Sequence, residues 1–210
     1  MRLRIKICGM AVEDNVEQVA ALSPDYMGFI FHDPSPRNAF SLPREAVTGL
    51  PESTVPVGVF VNRCVDEIVA MADSYGIRTV QLHGDEPACD CRELKRRGFT
   101  VWKAVGIDGA FDFGMLKSYT GCVDCFVFDT KSPLRGGTGV KYDWGVLDCY
   151  NLDIPFMLSG GISPGDAGRI AGLSHPMLAG VDVNSRFEDA PGVKNIDGLY
   201  GFINELRQKI

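Results

Sequence analysis

Residues 55–82, VPVGVFVNRCVDEIVAMADSYGIRTVQL, contain the pattern that decides the fold: two short β-branched runs separated by a helix-forming segment. In the middle segment, Val65, Ile68 and Ala72 repeat at the spacing of a helix that packs through one face. Gly76 predicts the end of that helix, because glycine readily adopts the left-handed conformation that often follows a helix. The stretch therefore predicts a strand–helix–strand unit, from which parallel sheets are built.

The same alternation continues along the whole chain. Eight short runs are separated by helix-forming segments, and most of the runs are continuously apolar, as expected for strands covered on both faces. The runs are LRIKI, DYMGFIF, VPVGVF, RTVQL, TVWKAV, CFVFD, PFMLSG and MLAGVDV. The clearest helix signals are EDNVEQVAAL, PREAVTGL, VDEIVAMADSYG, EPACDCRELKRRG and IDGLYGFINELRQK, whereas SPGDAGRIAGL predicts only a short helix.

Eight strand–helix units predict an α/β protein made of a single (β/α)8 TIM barrel over residues 1–210. A doubly wound open sheet is the alternative fold. The first strand, however, is not followed by G-x-G-x-x-G, and the chain contains no G-x-x-x-x-G-K-[ST]. The barrel is therefore favoured, and its chemistry is expected where the strands end and enter the following loops.

Composition excludes several classes of protein. The net charge of -6 argues against a nucleic-acid partner, because such binding needs a concentrated basic surface. The apolar run in the opening MRLRIKICGM is broken by Lys6, so neither a signal peptide nor a membrane span is expected. Seven cysteines without a secretory signal favour free thiols in the cytoplasm. No Cys or His pair follows Cys122 and Cys125 at zinc-site spacing, so no metal site is predicted.

Two strand ends carry candidate catalytic groups. Cys8 ends the first strand, where a thiolate would be a base, although a small buried hydrophobic residue is an equally good interpretation. Asp129 ends the sixth strand, where a partly desolvated carboxylic acid would donate a proton. The alternative for Asp129 is a helix cap or a partner of Lys131 or Arg135.

Two late loops suggest a phosphate site. LSGGIS and VDVNS follow the seventh and eighth strands, where barrels often bind phosphate through backbone N–H groups. Gly160 and Gly161 would allow the backbone to approach the anion, although an ordinary turn has the same residues. The glycine-rich segment 131–144, KSPLRGGTGVKYDW, is either a lid over a ligand or a flexible connection.

Three further side chains are candidates for binding or chemistry. Arg37, in the second loop, would bind a substrate carboxylate through its planar guanidinium, although most loop arginines are solvated. His83, after the fourth strand, would orient the substrate or a neighbouring side chain, unless the backbone satisfies it. Lys103 on the fifth strand would be an acid or a nucleophile, and it is the basis of a rival enzyme hypothesis.

Six motifs taken together resemble one family. KICGM, VGVFVN, VQLHG, FVFDTKSPLRGGTG, LSGGI and GVDVNS have the order and spacing found in phosphoribosylanthranilate isomerase, the barrel enzyme of tryptophan biosynthesis. The match spans nearly the whole chain, and KICG combined with DTK and GGTG is its most specific part. The resemblance implies an Amadori rearrangement of N-(5-phosphoribosyl)anthranilate to 1-(2-carboxyphenylamino)-1-deoxyribulose 5-phosphate, a small phosphorylated substrate, with no metal or organic cofactor.

The resemblance also implies residue roles. Asp129 would be the general acid on the ribose ring oxygen, and Cys8 the general base that removes the proton from the second ribose carbon. Asp129 must then be protonated while Cys8 is a thiolate. Arg37 resembles the family's contact to the anthranilate carboxylate. The phosphate site would be formed by the backbone around Gly160, Gly161, Asp182, Asn184 and Ser185.

The chain departs from the family pattern at two places. After the eighth strand it reads DVNSRFE where the family commonly reads DVSSGVE, so Asn184 replaces a serine, Arg186 a glycine and Phe187 a valine. Arginine adopts a positive φ less easily than glycine, so a shift of this loop is expected if the position needs one. Ala11 stands where the family has a threonine, so a hydrogen bond from that hydroxyl is absent.

Two rival functions remain open at this stage. Another phosphosugar barrel, such as an indole-glycerol-phosphate synthase, would depend on Lys103 with a glutamate, and no equally placed glutamate is evident from the sequence. A non-catalytic phosphosugar-binding barrel would keep the glycine loops without needing Cys8 or Asp129. The sequence contains no signal for an oligomeric state.

Overall fold

The computed structural model describes residues 2–131 and 142–209. In these residues, eight parallel strands form a closed barrel in sequence order, and β1 closes on β8, with Lys6 opposite Asp182. This confirms the predicted (β/α)8 barrel. The strands are β1 Arg4–Cys8, β2 Tyr26–Phe31, β3 Val55–Phe60, β4 Thr79–Leu82, β5 Thr100–Ile107, β6 Cys125–Thr130, β7 Phe156–Leu158 and β8 Leu178–Val183.

The helices surround the barrel. Gly76, with a φ of 67°, follows α3 as the sequence predicts, and α5 is as short as SPGDAGRIAGL suggested. Short 3-10 helices, Phe113–Tyr119 and Trp144–Cys149, follow β5 and β6. The α-helices are α1 Glu13–Ala20, α2 Arg44–Thr48, α3 Val65–Ser74, α4 Ala88–Arg96, α5 Ala167–Ala171 and α6 Ile196–Lys209. After β8 come a 3-10 turn, Ser185–Phe187, and a small hairpin of β9 Glu188–Ala190 and β10 Val193–Lys194.

Alternate residues of each strand face opposite sides of the barrel wall, because side chains alternate along a strand. One apolar cluster packs between the wall and the helices, and it includes Ile5, Ile7 and Phe126. A second, smaller cluster fills the lower interior of the barrel. Its buried members are Tyr26, Val57, Trp102, Ala104, Cys125, Val127 and Met157. This alternation decides which strand residues can reach a ligand.

All seven cysteines are free thiols, so the fold is held together without disulfides. Cys122 and Cys125, the C-x-x-C pair, are both buried. Within the described ranges, no helix combines the length and the apolar character needed to cross a bilayer.

Candidate active site

A cleft opens at the rim where the strands end. It is lined by the predicted site residues Cys8, Arg37, His83, Asp129, Gly160, Gly161, Asp182, Asn184 and Ser185. The cleft also contains residues that the sequence analysis did not single out, among them Ile30, Val59, Val61, Gln81 and Ser159. The strand residues in both groups lie at the interior-facing positions of the barrel, so the same alternation that separates the two cores brings them together.

Cys8 ends β1 at the floor of this cleft and is only 5% exposed. Its strand partner Gly28 makes room for the thiol, because a Cβ atom at Gly28 would lie 2.6 Å from the Cys8 sulfur. Two positions earlier on the same face of β1, Lys6 is fully buried and donates to Asp182 across 2.9 Å. Cys8 therefore sits beside a buried ion pair that belongs to the same cleft.

The electrostatics of Cys8 combine opposing effects. Burial raises the pKa of its thiol above the ordinary value, while the nearby ammonium groups of Lys6 and Lys194 oppose this rise. Burial alone would lower the pKa of Lys6, but Asp182 and Cys8 together raise it. Lys6 therefore stays charged, as a cation next to the candidate base. The unliganded protein nevertheless favours the thiol over the thiolate that a base requires.

Asp129 faces the same cleft from β6. Its Oδ2 lies 3.4 Å from Nε2 of His83, and its Oδ1 accepts a hydrogen bond from the Thr130 backbone at 2.7 Å. Nδ1 of His83 lies 2.9 Å from the amide of Gln81, a fully buried residue of β4. The imidazole of His83 thus lies between the side chains of Asp129 and Gln81. Gln81 in turn holds the imidazole, and nothing in the motif VQLHG had indicated its part.

The alternative interpretation of Asp129 as a partner of Lys131 is not what the structure shows. Lys131 instead binds Asp108 across 2.7 Å on the outer side of the rim. Arg135 and most of the predicted lid, residues 132–141, lie outside the described residues.

The loops after β7 and β8 both reach the cleft, and the two glycines lie in the first of them. Gly160 and Gly161 have φ values of 89° and 65°, a region that favours glycine over other residues. A Cβ atom at Gly160 would overlap the backbone nitrogen and side-chain oxygen of Thr130, so the β7 loop packs directly on the end of β6. Asp182 differs from the rest of the predicted phosphate group, because it lies within β8 and its carboxylate is bound to Lys6.

The departures after β8 fit the fold without distortion. Arg186 is exposed and lies in the 3-10 turn Ser185–Phe187 without a positive φ. The expected loop shift therefore has no cause at this position. Phe187 is buried, and its ring centroid is 5.1 Å from that of Phe202 on α6. The larger side chain thus fixes the loop to the outer helix layer.

Arg37 reaches the cleft from the loop after β2, and its guanidinium is held by Glu188 of β9 at 2.8 Å. The same carboxylate accepts from Lys194 of β10 at 2.6 Å. Neither Glu188 nor Lys194 was among the predicted residues, because both follow the last barrel strand in a segment with no strand or helix signal of its own.

Lys103 does not reach the cleft. It lies on β5 between Trp102 and Ala104, two members of the interior cluster, so it points outward toward α4. There its ammonium binds Glu86 at 3.1 Å and the backbone oxygens of Leu82, Gly84 and Ala104. A glutamate does accompany this lysine, contrary to the sequence reading, but the pair is buried away from the candidate site.

Comparisons with known proteins agree with this geometry. Residues 5–205 match the family model described as N-(5'-phosphoribosyl)anthranilate isomerase. A protein of that name from Parabacteroides distasonis is 42% identical over 204 residues, covering 96% of this chain and 92% of the relative. The phosphoribosyl anthranilate isomerase structure from Thermotoga maritima is 31% identical, with a TM-score of 0.84 over 98% of this chain and 99% of that one.

A further solved structure was obtained with a ligand. It is a phosphoribosyl anthranilate isomerase in complex with reduced 1-(o-carboxyphenylamino)-1-deoxyribulose 5-phosphate, and it is 28% identical, with a TM-score of 0.80. It covers 98% of this chain and 99% of its own. The family model, the named relative and the two solved structures each match nearly the whole length of this chain. The chain therefore belongs to the N-(5'-phosphoribosyl)anthranilate isomerase family.

Proposed function

We propose that this isomerase of tryptophan biosynthesis rearranges its substrate with Cys8 as the general base and Asp129 as the general acid, in a single barrel domain. The observation that carries this proposal is their placement. Cys8 is the last residue of β1 and Asp129 the last but one of β6, and both face one cleft from different sides of the barrel. One bound sugar can therefore meet an acid at one atom and a base at another.

The reaction begins at the ribose ring. Asp129, in its protonated form, gives its proton to the ring oxygen of N-(5'-phosphoribosyl)anthranilate while the bond between that oxygen and the first ribose carbon breaks. The lone pair of the anthranilate nitrogen moves into a new bond with this carbon, which gives an iminium ion. His83 and the backbone of Thr130 hold the Asp129 carboxyl group in place for this step.

The second step takes place at the neighbouring carbon. The Cys8 thiolate removes the proton from the second ribose carbon, and the electrons of that bond form a double bond to the first carbon, which neutralises the iminium nitrogen. The resulting enolamine tautomerises to the ketone. The reaction is a net rearrangement, and all its proton transfers can be made by side chains without a metal or an organic cofactor.

The substrate itself helps Cys8 to ionise. Burial raises the pKa of the Cys8 thiol in the unliganded protein, so the thiolate has to be favoured at the moment of reaction. The iminium ion places a positive charge next to the thiol, and a nearby opposite charge favours the charged form of an acid. Lys6 and Lys194 act in the same direction. The base is thus activated when its substrate is present.

Binding of the substrate involves both of its anionic ends. The backbone near Gly160, Gly161, Asn184 and Ser185 surrounds the phosphate, and the guanidinium of Arg37 binds the anthranilate carboxylate. The ligand in the related complex carries both a phosphate and a carboxylate, which supports this assignment. The partner of the site is a small phosphorylated molecule rather than a nucleic acid. Seven free thiols further support a cytoplasmic location.

The test is the turnover of freshly generated phosphoribosylanthranilate in the presence of a chelator, followed by the loss of anthranilate fluorescence. Cys8→Ala and Asp129→Asn should each lower kcat by roughly 10²- to 10⁴-fold, the usual contribution of a general acid or base. Cys125→Ala is the matched control, because Cys125 is also a buried, interior-facing barrel cysteine but does not line the cleft. Wild-type rates in the Cys8→Ala protein would refute the proposed mechanism.

A further inference from the structure

The contact between Arg37 and Glu188 uses only one edge of the guanidinium. Nε of Arg37 lies 3.0 Å and 2.8 Å from the two carboxylate oxygens, and Nη2 lies 2.8 Å from Oε2. A guanidinium has five N–H groups, and the edge formed by Nε and Nη2 is the one that Glu188 occupies. The opposite pair, Nη1 with the second hydrogen of Nη2, forms another fork of the shape that binds a carboxylate.

Glu188 is itself tightly held. Its side chain is 4% exposed, and besides Arg37 its Oε1 accepts from Lys194 Nζ at 2.6 Å and from the Gly192 backbone at 3.1 Å. Burial opposes ionisation, but Arg37 and Lys194 keep the pKa of Glu188 below its ordinary value, so it remains a carboxylate. Arg37 is therefore bound to a fixed anion rather than to a mobile surface group.

Lys194 extends the same cluster to the loop after β8. Its side chain is fully buried, and its ammonium also donates to Asn184 Oδ1 at 2.7 Å. Asn15 of α1 holds the Lys194 backbone from both sides: its Oδ1 accepts from the N–H at 2.7 Å and its amide donates to the C=O at 3.0 Å. The backbone of Lys194 is thus fixed to α1, while its ammonium contacts Asn184, which lines the cleft.

We infer that Glu188 and Lys194 are positioning residues for substrate binding. Glu188 orients Arg37 so that its opposite edge, which has no hydrogen-bonding partner among the described residues, faces the substrate carboxylate. Lys194 links this Arg37–Glu188 clamp to Asn184 in the loop after β8. The inference rests on the proposed contact between Arg37 and that carboxylate. Nothing in the reaction itself requires Glu188 or Lys194 to touch the substrate.

Two physical effects make such an arrangement useful. A free arginine side chain loses considerable rotamer entropy when it binds, and Glu188 removes this freedom before the substrate arrives. Burial lowers the pKa of Lys194, and Glu188 opposes this fall. With Lys194 protonated, the cluster has a single net positive charge, because one carboxylate faces one guanidinium and one ammonium. The guanidinium of Arg37 is thus held in one orientation and still attracts the substrate carboxylate.

The experiment compares two ligands by isothermal titration calorimetry. One is reduced 1-(o-carboxyphenylamino)-1-deoxyribulose 5-phosphate, and the other is the same compound built on aniline, which lacks the ring carboxylate. The wild-type protein should bind the carboxylated ligand roughly 10- to 100-fold more tightly, the value of a charged hydrogen-bonded contact. In Glu188→Gln, the ratio of the aniline ligand's Kd to that of the carboxylated ligand should be at least about fivefold smaller than in the wild-type protein. The Kd of the aniline ligand itself should change by less than about twofold.

Two further variants test whether the effect of Glu188→Gln on binding comes from the position of its carboxylate rather than from a loss of folding. Glu93→Gln is the matched control, because Glu93 also binds two arginines, Arg96 and Arg97, but on the exposed face of α4. It should leave both Kd values unchanged. Glu188→Asp keeps the charge while moving it by one methylene, so its preference should fall between wild type and Glu188→Gln, and thermal melting checks that each variant is folded. If Glu188→Gln is unfolded, the loss of preference in Glu188→Asp decides the question in its place.

Arg37→Met distinguishes failure of the inference from failure of the proposed contact. If Arg37→Met removes the preference and the Glu188 variants keep it, the positioning role is wrong while the Arg37 contact stands. If Arg37→Met keeps the preference, Arg37 does not bind the carboxylate, and the inference falls with that contact. An equal loss of affinity for both ligands in the Glu188 variants would show a merely structural role and would overturn the inference.

Discussion

Two of the buried lysine–carboxylate pairs have their lysine on a strand of the barrel, and these two pairs serve different purposes. Lys6 on β1 binds Asp182 on β8 at 2.9 Å, and Lys103 on β5 binds Glu86 in the loop after β4 at 3.1 Å. In both pairs the lysine and the carboxylate are almost completely buried. Only the first pair touches the cleft, through Asp182.

The difference follows from the direction of each strand side chain. Lys6 lies between Ile5 and Ile7, which face the helices, so Lys6 itself faces the barrel interior beside Cys8. Lys103 has the opposite orientation. Besides Glu86, its ammonium contacts three backbone oxygens, one each in β4, in the loop after β4 and in β5. These contacts use all three of its N–H donors.

Burial and ion pairing alone therefore do not identify a functional lysine. A buried ion pair can influence a reaction when it lies beside the ligand and a reactive side chain. When backbone oxygens use all of the lysine's donors, the pair instead stabilises the fold. Lys103 lies outside the cleft and is saturated by backbone oxygens and Glu86, so it does not support a synthase-like mechanism. It also draws attention to Lys6, which the sequence analysis had mentioned only as a break in an apolar run.

Replacing the lysine of each pair by methionine should reveal the largest difference between the two pairs. Lys6→Met and Lys103→Met both leave a buried carboxylate without its partner, so each should cost about 3–5 kcal/mol of unfolding free energy. Lys6→Met should also lower kcat roughly 10- to 1000-fold, because an opposite charge nearby typically shifts a pKa by one to three units and Cys8 loses such a charge. Lys103→Met should keep kcat per folded molecule within about threefold.

The measurement combines denaturant unfolding with turnover of phosphoribosylanthranilate corrected for the folded fraction. Equal losses of kcat in the two variants would contradict the distinction drawn between the pairs.

Two glycines offer a second comparison, between the rim and a surface turn. Gly160 and Gly98 both have a φ of 89°, so alanine at either position is strained by roughly 1–2 kcal/mol. At Gly160 the new methyl group would also overlap Thr130, next to Asp129, whereas nothing lies within 4 Å of it at Gly98. Gly160→Ala should raise KM about tenfold or more through the displaced loop, and Gly98→Ala should not change KM. A raised KM in Gly98→Ala would show that strain alone, rather than the rim contact, matters.

The smallest effect concerns the titration of Cys8 in the unliganded protein. Because burial raises the pKa of this thiol, its alkylation by iodoacetamide should increase with pH and reach its midpoint above that of free cysteine. Lys6→Met should move the midpoint still higher, whereas Lys103→Met should not move it. Mass spectrometry of the peptide containing Cys8 separates it from the exposed thiols of Cys64, Cys89 and Cys149. A midpoint below that of free cysteine would contradict the effect of burial.

The sequence predicted the barrel and the principal residues of the cleft well, for a physical reason. Strand–helix alternation is a local property, and the ends of parallel strands meet at one rim, so Cys8, Asp129 and the loops at Gly160 and Asn184 could be placed together. Orientation was harder to predict where a strand is apolar on both faces. In TVWKAV, the pattern does not reveal that Lys103 points outward.

The remaining parts of the site depend on distant segments. Glu188 reaches Arg37 because the hairpin after β8 folds back toward the loop after β2, and Lys194 of the same hairpin binds Glu188. No periodicity in the sequence encodes these contacts. Gln81 was overlooked for a related reason, since a single polar residue in a short apolar strand has no local signature of function. Contacts of this kind join segments that are distant in sequence, so they can be identified only from the folded structure.

The central claim, that Cys8 removes the proton from the second ribose carbon while Asp129 opens the ring, is tested most directly by an isotope effect. Substrate deuterated at that carbon is compared with ordinary substrate in two impaired variants. Cys8→Ser should show a primary isotope effect on kcat, because proton removal then limits the rate. Asp129→Asn should show an effect near unity, because ring opening limits the rate and leaves that bond intact. A primary effect in Asp129→Asn with none in Cys8→Ser would contradict this division of roles.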